Sequence, residues 1–392
     1  MATGEKPYRV YRGGRVKGRV PLERRKEPSP STRHNGREPR APKVRRPRKR
    51  WSWPRRIVVA LVALILFLII WTFAGYMSVR GGVKDANKRL PADVRPVLVK
   101  DKGALISNPS DILLLGTDHL NNDQRVNDFH ADSIMVIRTD PSRHRVTYLS
   151  IPRDLRVPIA GIGDAKINAA MQSGGPPLAI KTIESYTGLQ INHVIIVDFS
   201  QFKDVIDAVG GITVNVPEKI ISKFDCPYST NARCARWQGW HFAKGPQHMN
   251  GWRAQIYSRI RENKLDPSYT DFTRAQHQQQ VLRATIKKLT SFSTFLKLPF
   301  DGGSMIKPLT TDLSPWDFFQ LGWVFKRAPA SHALHCRLGG NQDATGTSDI
   351  IPSEDNRAVI GMVTGASAPQ PPRPGTGFFG PGCFVGNTGP SR

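Results

Sequence analysis

Asp111-Ile-Leu-Leu-Leu-Gly-Thr-Asp118 is the stretch on which the fold turns. Four apolar residues in unbroken succession, closed by Gly-Thr-Asp, predict a strand covered on both faces. Ser133-Ile-Met-Val-Ile137, Val146-Thr-Tyr-Leu149 and Val194-Ile-Ile-Val197 share that short, largely β-branched texture. Helical patterns lie between and after them, over about residues 165–172, 176–187, 200–209, 250–262, 270–295 and 315–326. Gly210-Gly211 ends one of these before a further strand over 212–216. Strands alternating with helices predict an α/β domain, a central mixed β-sheet flanked by helices on both faces.

Towards the N-terminus the texture changes twice. Residues 79–106 are polar and are expected to form a stalk. Before them, Ile57-Val-Val-Ala-Leu-Val-Ala-Leu-Ile-Leu-Phe-Leu-Ile-Ile70 is continuously apolar, and no charge occurs over residues 57–77. A helix needs roughly 20 residues to cross the hydrocarbon layer, whereas a secretory signal has a shorter apolar region. A transmembrane helix is therefore expected over 57–78, with Trp51, Trp53, Trp71 and Tyr76 suited to the interfacial belts. Residues 1–56 hold 20 Lys and Arg against four acids, a net +16 of the chain's +26. That segment has almost no periodic apolar residues and cannot offset its ordering entropy, so a disordered tail is expected. Its basic charge beside the span places the N-terminus in the cytoplasm and everything after the span outside. The expected location is thus the cell membrane, single-pass. Residues 107–340 read as the globular, extracytoplasmic domain, and 341–392 as an irregular C-terminal tail rich in Gly, Pro, Ser and Thr.

All four cysteines, Cys226, Cys234, Cys336 and Cys383, follow the span. An oxidising compartment favours two disulfides, Cys226 with Cys234 around a short loop and Cys336 with Cys383. A zinc site of Cys226, Cys234, His241 and His248 competes, although its spacings match no compact zinc pattern.

Polar clusters fall where strands and helices end, the usual place for sites in open α/β sheets. Asp118 closes one strand and Asp132 opens the next. Ser150-Ile-Pro-Arg-Asp154 follows a third, and Lys166-Ile-Asn-Ala-Ala170 opens a helix. Tyr257-Ser-Arg-Ile-Arg261 sets two arginines two apart, and Asp271, Arg274 and Gln278 share one helical face. Singly, each has an ordinary explanation: an Asp after a strand is more often a turn or cap than a metal ligand, and a helical Arg is usually a solvated face. Their joint occurrence at the element boundaries of one domain points to a site.

In order and spacing these segments resemble the LytR-CpsA-Psr family from about Asp111 to Val281, including Gly174-Gly175, His193-Val-Ile-Ile-Val-Asp-Phe199 and Val209-Gly-Gly-Ile-Thr-Val-Asn-Val216. The resemblance implies a phosphotransferase that moves a glycopolymer from a polyprenyl-pyrophosphate carrier to peptidoglycan through a phosphodiester. It implies a pyrophosphate clamp of Arg153, Arg259, Arg261 and Arg274, supported by Lys166, Asn168 and Gln278, with Asp154 and Asp132 as candidates for the base. Planar guanidinium forks suit such an anion. It further implies Mg²⁺ (or Mn²⁺) on Asp118 and Asp132, since hard ions take oxygen ligands shared with substrate phosphate. Helices near 200–209 and 281–296 are expected to line an apolar groove for the prenyl tail. Two positions depart: His130 and His277 stand where the family usually has Arg, which makes a weaker or pH-dependent clamp the expectation. The loop over 222–249 has no counterpart in the core motifs.

Two other readings compete. A hydrolase would use the same clamp with water as acceptor. A membrane-bound transcriptional attenuator would use the basic tail, but that tail holds no element that reads DNA, and Lys and Arg beside a span serve topology and anionic lipid, so no nucleic-acid partner is expected.

Overall fold

The computed structural model describes residues 8–9, 20–21, 52–117, 130–267, 269, 271–343, 349–374 and 380–386. The chain divides into two compact units, Met1–Val59 and Ala60–Arg392. In the first, β1 (Tyr8–Arg9) pairs antiparallel with β2 (Val20–Pro21). The helix α1 (Trp53–Lys88) runs on through the division and has a mean hydropathy of 3.1 over its most apolar stretch, long and apolar enough to cross a membrane.

The larger unit is organised by the strands read first. β3 (Ser110–Thr117), β4 (Ala131–Asp140) and β5 (Arg145–Ile151) form an antiparallel meander. A hairpin of β6 (Arg156–Ile159) and β7 (Gly163–Lys166) leads to α2 (Ala169–Thr187). Two helices were expected there, over 165–172 and 176–187. Two helical segments stand there, the first starting later than expected, and non-helical Gly174 and Gly175 (φ +63°) separate them just before Pro176. β8 (His193–Asp198) then runs parallel to β3, followed by α3 (Phe199–Ala208), which Gly210 and Gly211 end at φ of +81° and +80°.

Next come β9 (Ile212–Val216), β10 (Ile220–Ser222), α4 (Asn231–Arg236), β11 (Trp240–Phe242) and β12 (Gly245–Met249), with β10 paired to β11 and β9 to β12. α5 (Gly251–Arg259), α6 (Asp271–Leu289) and α7 (Phe292–Ile306) follow. β13 (Thr310–Thr311) precedes α8 (Pro315–Arg327), which Ser314 and Asp317 start with a reciprocal capping box. The chain ends through β14 (Leu334–Arg337), β15 (Gly340–Gln342), β16 (Ile350–Pro352), α9 (Asn356–Thr364) and β17 (Gly382–Val385).

The seven-stranded central sheet has the order β13-β8-β3-β4-β5-β14-β17 and mixes parallel with antiparallel pairs, as expected. Alternation along each strand fills both faces. Leu113, Leu115, Ile134, Val136 and Leu149 pack on α2 and α9, whereas Ile112, Met135, Ile137 and Tyr148 face α8 and α6.

Two terminal regions differ from expectation. Residues 79–88, expected to begin a stalk, continue α1, and Val79, Val83 and Ala86 enter a core with α5, β9 and α7. Close approach makes this possible: a Cβ on Gly82 would lie 2.4 Å from the Gly303 carbonyl oxygen. The segment 341–392, expected to be an irregular tail, contributes α9 to the core and β17 to the sheet edge.

Candidate active site

Arg153 is the centre of the polar cluster. It sits in the turn after β5, where Nη1 donates to Asp132 Oδ1 at the start of β4 and Nε lies 3.4 Å from Asp154 Oδ2. The other oxygen of Asp154 accepts from Lys166 Nζ at 3.0 Å, and Lys166 also reaches Asp349 Oδ1 at 3.3 Å. Burial alone would lower the Lys166 pKa, but its bonds to Asp154 and Asp349 outweigh that and raise it. Backbone bonds fix the turn: Asn168 N donates to Arg153 O at 3.3 Å and Ile350 N to Asp154 O at 2.9 Å. Asn168, the residue before α2, is itself buried.

Asp132, Arg153 and Asp154 open onto a cavity of about 1020 Å³ between α6 and the strands β4, β5 and β14. Arg274 and Gln278 project from α6 into its wall. The cavity continues past Ala284, Ile286 and Phe325 to Phe292 at the start of α7. The expected groove is thus lined by the segment from 281 onward, whereas the 200–209 helix packs against α5 and α7 instead. Arg259 and Arg261 stand outside this lining. Arg259 Nη1 pairs with Asp225 Oδ2 at 2.7 Å, and the guanidinium carbons of Arg259 and Arg261 lie 5.9 and 6.0 Å from the Phe224 ring centre.

His130 is half-buried directly before β4 and does not line the cavity. His277 corrects the expectation drawn from its place in the sequence. It is 1% exposed, and its ring packs 4.3 Å from that of Tyr257 and 5.8 Å from that of Tyr269. Burial pushes its pKa down to about 3, so it is neutral and brings no cation to the clamp.

Asp118 lies outside the described residues. Among the described residues no three His, Cys, Asp or Glu converge into a metal-binding group. Of the two expected ligands only Asp132 is among the described residues, and its Oδ1 accepts from Arg153.

The zinc reading is excluded for the 222–249 loop. Cys226 and Cys234 form a disulfide (Cα–Cα 5.8 Å), as do Cys336 and Cys383 (4.0 Å), and no cysteine is free.

Several cavity residues were not legible as site residues. Tyr148 and His335 stack at 5.2 Å and 9° on the sheet, with Arg283 Nη1 3.5 Å from His335 Nε2. Burial, then the Arg283 charge, lowers the His335 pKa to about 3, and burial raises Tyr148 to about 12. Asp349 escaped notice because it lies in the supposed tail. Arg283 escaped because it lies five residues beyond the recognised helical motif.

A mixed sheet with an arginine–carboxylate cluster at a partly apolar cavity defines the class, an α/β domain whose polar site adjoins an apolar one. The chain belongs to the LytR_cpsA_psr family, whose model matches residues 82–358. It is similar to the polyisoprenyl-teichoic acid–peptidoglycan teichoic acid transferase TagU of Bacillus anthracis, 36% identical over 258 residues that cover 66% of this chain and 78% of that protein. The protein of the same name from Bacillus mycoides is 35% identical over 245 residues, 61% of this chain and 73% of its own. Among solved structures, that of B. subtilis TagV superposes with a TM-score of 0.50 at 28% identity, covering 64% of this chain and 94% of TagV.

Proposed function

We propose that this chain transfers a glycopolymer from a polyprenyl-pyrophosphate carrier to a hydroxyl of peptidoglycan, forming a phosphodiester. The observation that carries this reading is Arg153, held between Asp132 and Asp154 where the cavity opens, with Arg274 and Gln278 on the facing helix. A guanidinium fork presents paired N–H donors that match phosphate oxygens, and charge developing during phosphoryl transfer is met without reorganisation. The names of the related transferases supply the polymer–carrier–acceptor class.

Each residue has a derivable task. Arg153 and Arg274 bind and orient the pyrophosphate, and Gln278 adds a neutral hydrogen bond. Asp154 has both oxygens engaged, by Lys166 and by Arg153, so it positions those two cations rather than accepting a proton. Arg259 and Arg261, outside the cavity lining beside Phe224, would meet the glycan end of the donor. Asp118 and Asp132 would hold Mg²⁺ or Mn²⁺, which when bound neutralises phosphate charge. The apolar length of the cavity takes the prenyl tail. In this reading residues 1–56 are a cytoplasmic tail, 57–78 the span, and the domain of 107–340, with its C-terminal 341–392 packed onto it, works outside the cell membrane. The basic charge before the span supports that orientation.

Mass spectrometry of wall polymers tests this. A deletion strain should lose the covalent polymer–peptidoglycan linkage, and the wild-type chain should restore it while Arg153→Ala should not. A normal linkage in the deletion strain, where no related chain substitutes, would contradict the proposal.

A further inference from the structure

α7 has two apolar faces. Thr294, Met305 and Ile306 are buried in the domain, yet Phe292 and Phe300 on the other side are 72% and 74% exposed, with Leu296 between them. Positions 292, 296 and 300 recur every fourth residue and so form one stripe. On α8, Trp316 and Trp323 are 61% and 57% exposed. Large apolar side chains left open to water over a contiguous area mark a contact surface.

The neighbour of this surface is α1. Trp71 Nε1 donates to Phe295 O at 3.4 Å, and its ring lies 5.7 Å from that of Phe300. Gly75 abuts Leu298, Ser78 Oγ accepts from Gly303 N at 3.1 Å, and Tyr76 stacks 6.1 Å from Phe319 of α8. Successive contacts at 71, 75 and 78 of α1 meet 295, 298 and 303 of α7, so the two helices run in the same direction. The charge-free stretch 57–77 rises about 31 Å, which matches the hydrocarbon thickness. Trp71 is six residues from its end and therefore about 9 Å inside the layer. The start of α7, at the level of Trp71, falls within the same edge. Exposed Phe67 lies 5.2 Å from Trp71, which in turn meets exposed Phe300, so the open stripe of α7 joins the exposed side of the span.

We propose that α7 and the exposed tryptophans of α8 rest in the outer edge of the bilayer alongside α1, and that the cavity opens there to lipid. Phe292 belongs both to the stripe and to the cavity lining, together with Thr290 and Ser291 at the α6–α7 junction. Arg274 lies about 24 Å from there along α6. A polyprenyl tail would pass sideways from the bilayer into the cavity without crossing water, while its pyrophosphate reaches the arginine cluster above the membrane. This route rests on the transferase reading; the membrane seat of α7 does not. Lys297, on the flank of the stripe, has a stem long enough to carry its charge back to the headgroups.

The full chain, reconstituted in vesicles of phosphatidylglycerol and phosphatidylethanolamine, tests the seat. The native cysteines are all in disulfides, so a fluorophore attaches only to an introduced thiol in Leu296→Cys, Phe300→Cys or, as a water-exposed control on α9, Ala358→Cys. At 296 and 300 the emission should be blue-shifted, quenched by spin-labelled lipid and protected from aqueous iodide, with the reverse at 358. Iodide quenching at 296 and 300 equal to that at 358 would overturn the proposal. So would protection from both quenchers, which would mean that a second copy covers the face. The route is read separately: Phe300→Asp with Trp323→Asp should raise the KM for a long-chain prenyl donor in vesicles at least about tenfold and leave the KM for peptidoglycan unchanged. An unchanged donor KM would overturn the lateral entry, whereas absence of transfer by the wild-type chain would count against the function and leave the depth measurement standing.

Discussion

Arg153 donates to Asp132 from the turn after β5, joining the end of one strand to the start of its antiparallel neighbour. That contact holds the guanidinium over the cavity before any ligand arrives. Arg153→Ala should lower transfer by about 10²–10³-fold, the scale seen when one preorganised charge-stabilising donor is removed. Because both groups are partly solvated, melting should change little. Single-turnover assays beside thermal unfolding check both halves, and near-normal transfer would make Arg153 a structural arginine.

His277 is neutral in the fold, with a pKa lowered from 6.5 to about 3. In the unfolded chain it protonates more readily, so its contribution is complete above about pH 6.5 and is lost as pH falls towards 3. His335 adds a loss over the same window. His277→Phe should therefore flatten part of the acid-side decline in denaturant midpoint. His277→Arg, which restores the family's usual residue, should destabilise the fold by burying a cation between two tyrosines. An Arg variant as stable as wild type would show that this pocket opens.

His193 acts at the other end of the pH scale. It bridges Asp312 at Nδ1 and Asp101 at Nε2, both at 2.7 Å. Burial alone would lower its pKa, but the two carboxylates outweigh burial and raise it above 6.5. Its stabilisation is full below the unfolded value and fades as pH rises through the folded one. His193→Gln should lose stability at pH 6 and lose less at higher pH. Equal losses at both would mean that charge has no part in the bridge.

Gly82 and the adjacent Gly81 give a paired test of how α1 meets the domain. A Cβ at 82 would strike the Gly303 backbone, whereas one at 81 meets nothing within 4 Å. Gly82→Ala should destabilise by about 1–3 kcal/mol, the usual scale for overpacking. Gly81→Ala should be neutral or stabilise by up to about 1 kcal/mol through helix propensity. Chemical unfolding in detergent compares them, and equal effects would show that the helices are not in close contact.

The sheet was legible because β3, β4, β5 and β8 are buried on both faces, which writes a continuous apolar run into the chain. β17 was not. Its four residues lie among Gly and Pro, and its place is fixed by pairing with β14 and by the Cys336–Cys383 bridge, neither of which has a periodic signature. The packing of 79–88 was masked because Val79, Val83 and Ala86 are interleaved with Arg80, Lys84 and Asp85, so mean polarity hid an apolar stripe. At the site, Asp132, Arg153, Asp154 and Lys166 were legible as motif residues at strand ends, and the fold joins them. Asp349, 183 residues beyond Lys166, was invisible because only the tertiary fold brings it there. Which half of the expectation holds for His277, a weaker clamp, was not legible, because helical position alone does not say that its face is covered by Tyr257 and Tyr269.

Transfer is distinguished from hydrolysis by acceptor dependence in vitro. The full chain would be incubated with a polyprenyl-pyrophosphate-linked glycopolymer, with and without peptidoglycan, and the products followed by mass spectrometry. A transferase should yield polymer joined to peptidoglycan by a phosphodiester, with prenyl phosphate released in step and little turnover when peptidoglycan is absent. Free polymer released at the same rate with or without peptidoglycan would contradict transfer and identify a hydrolase.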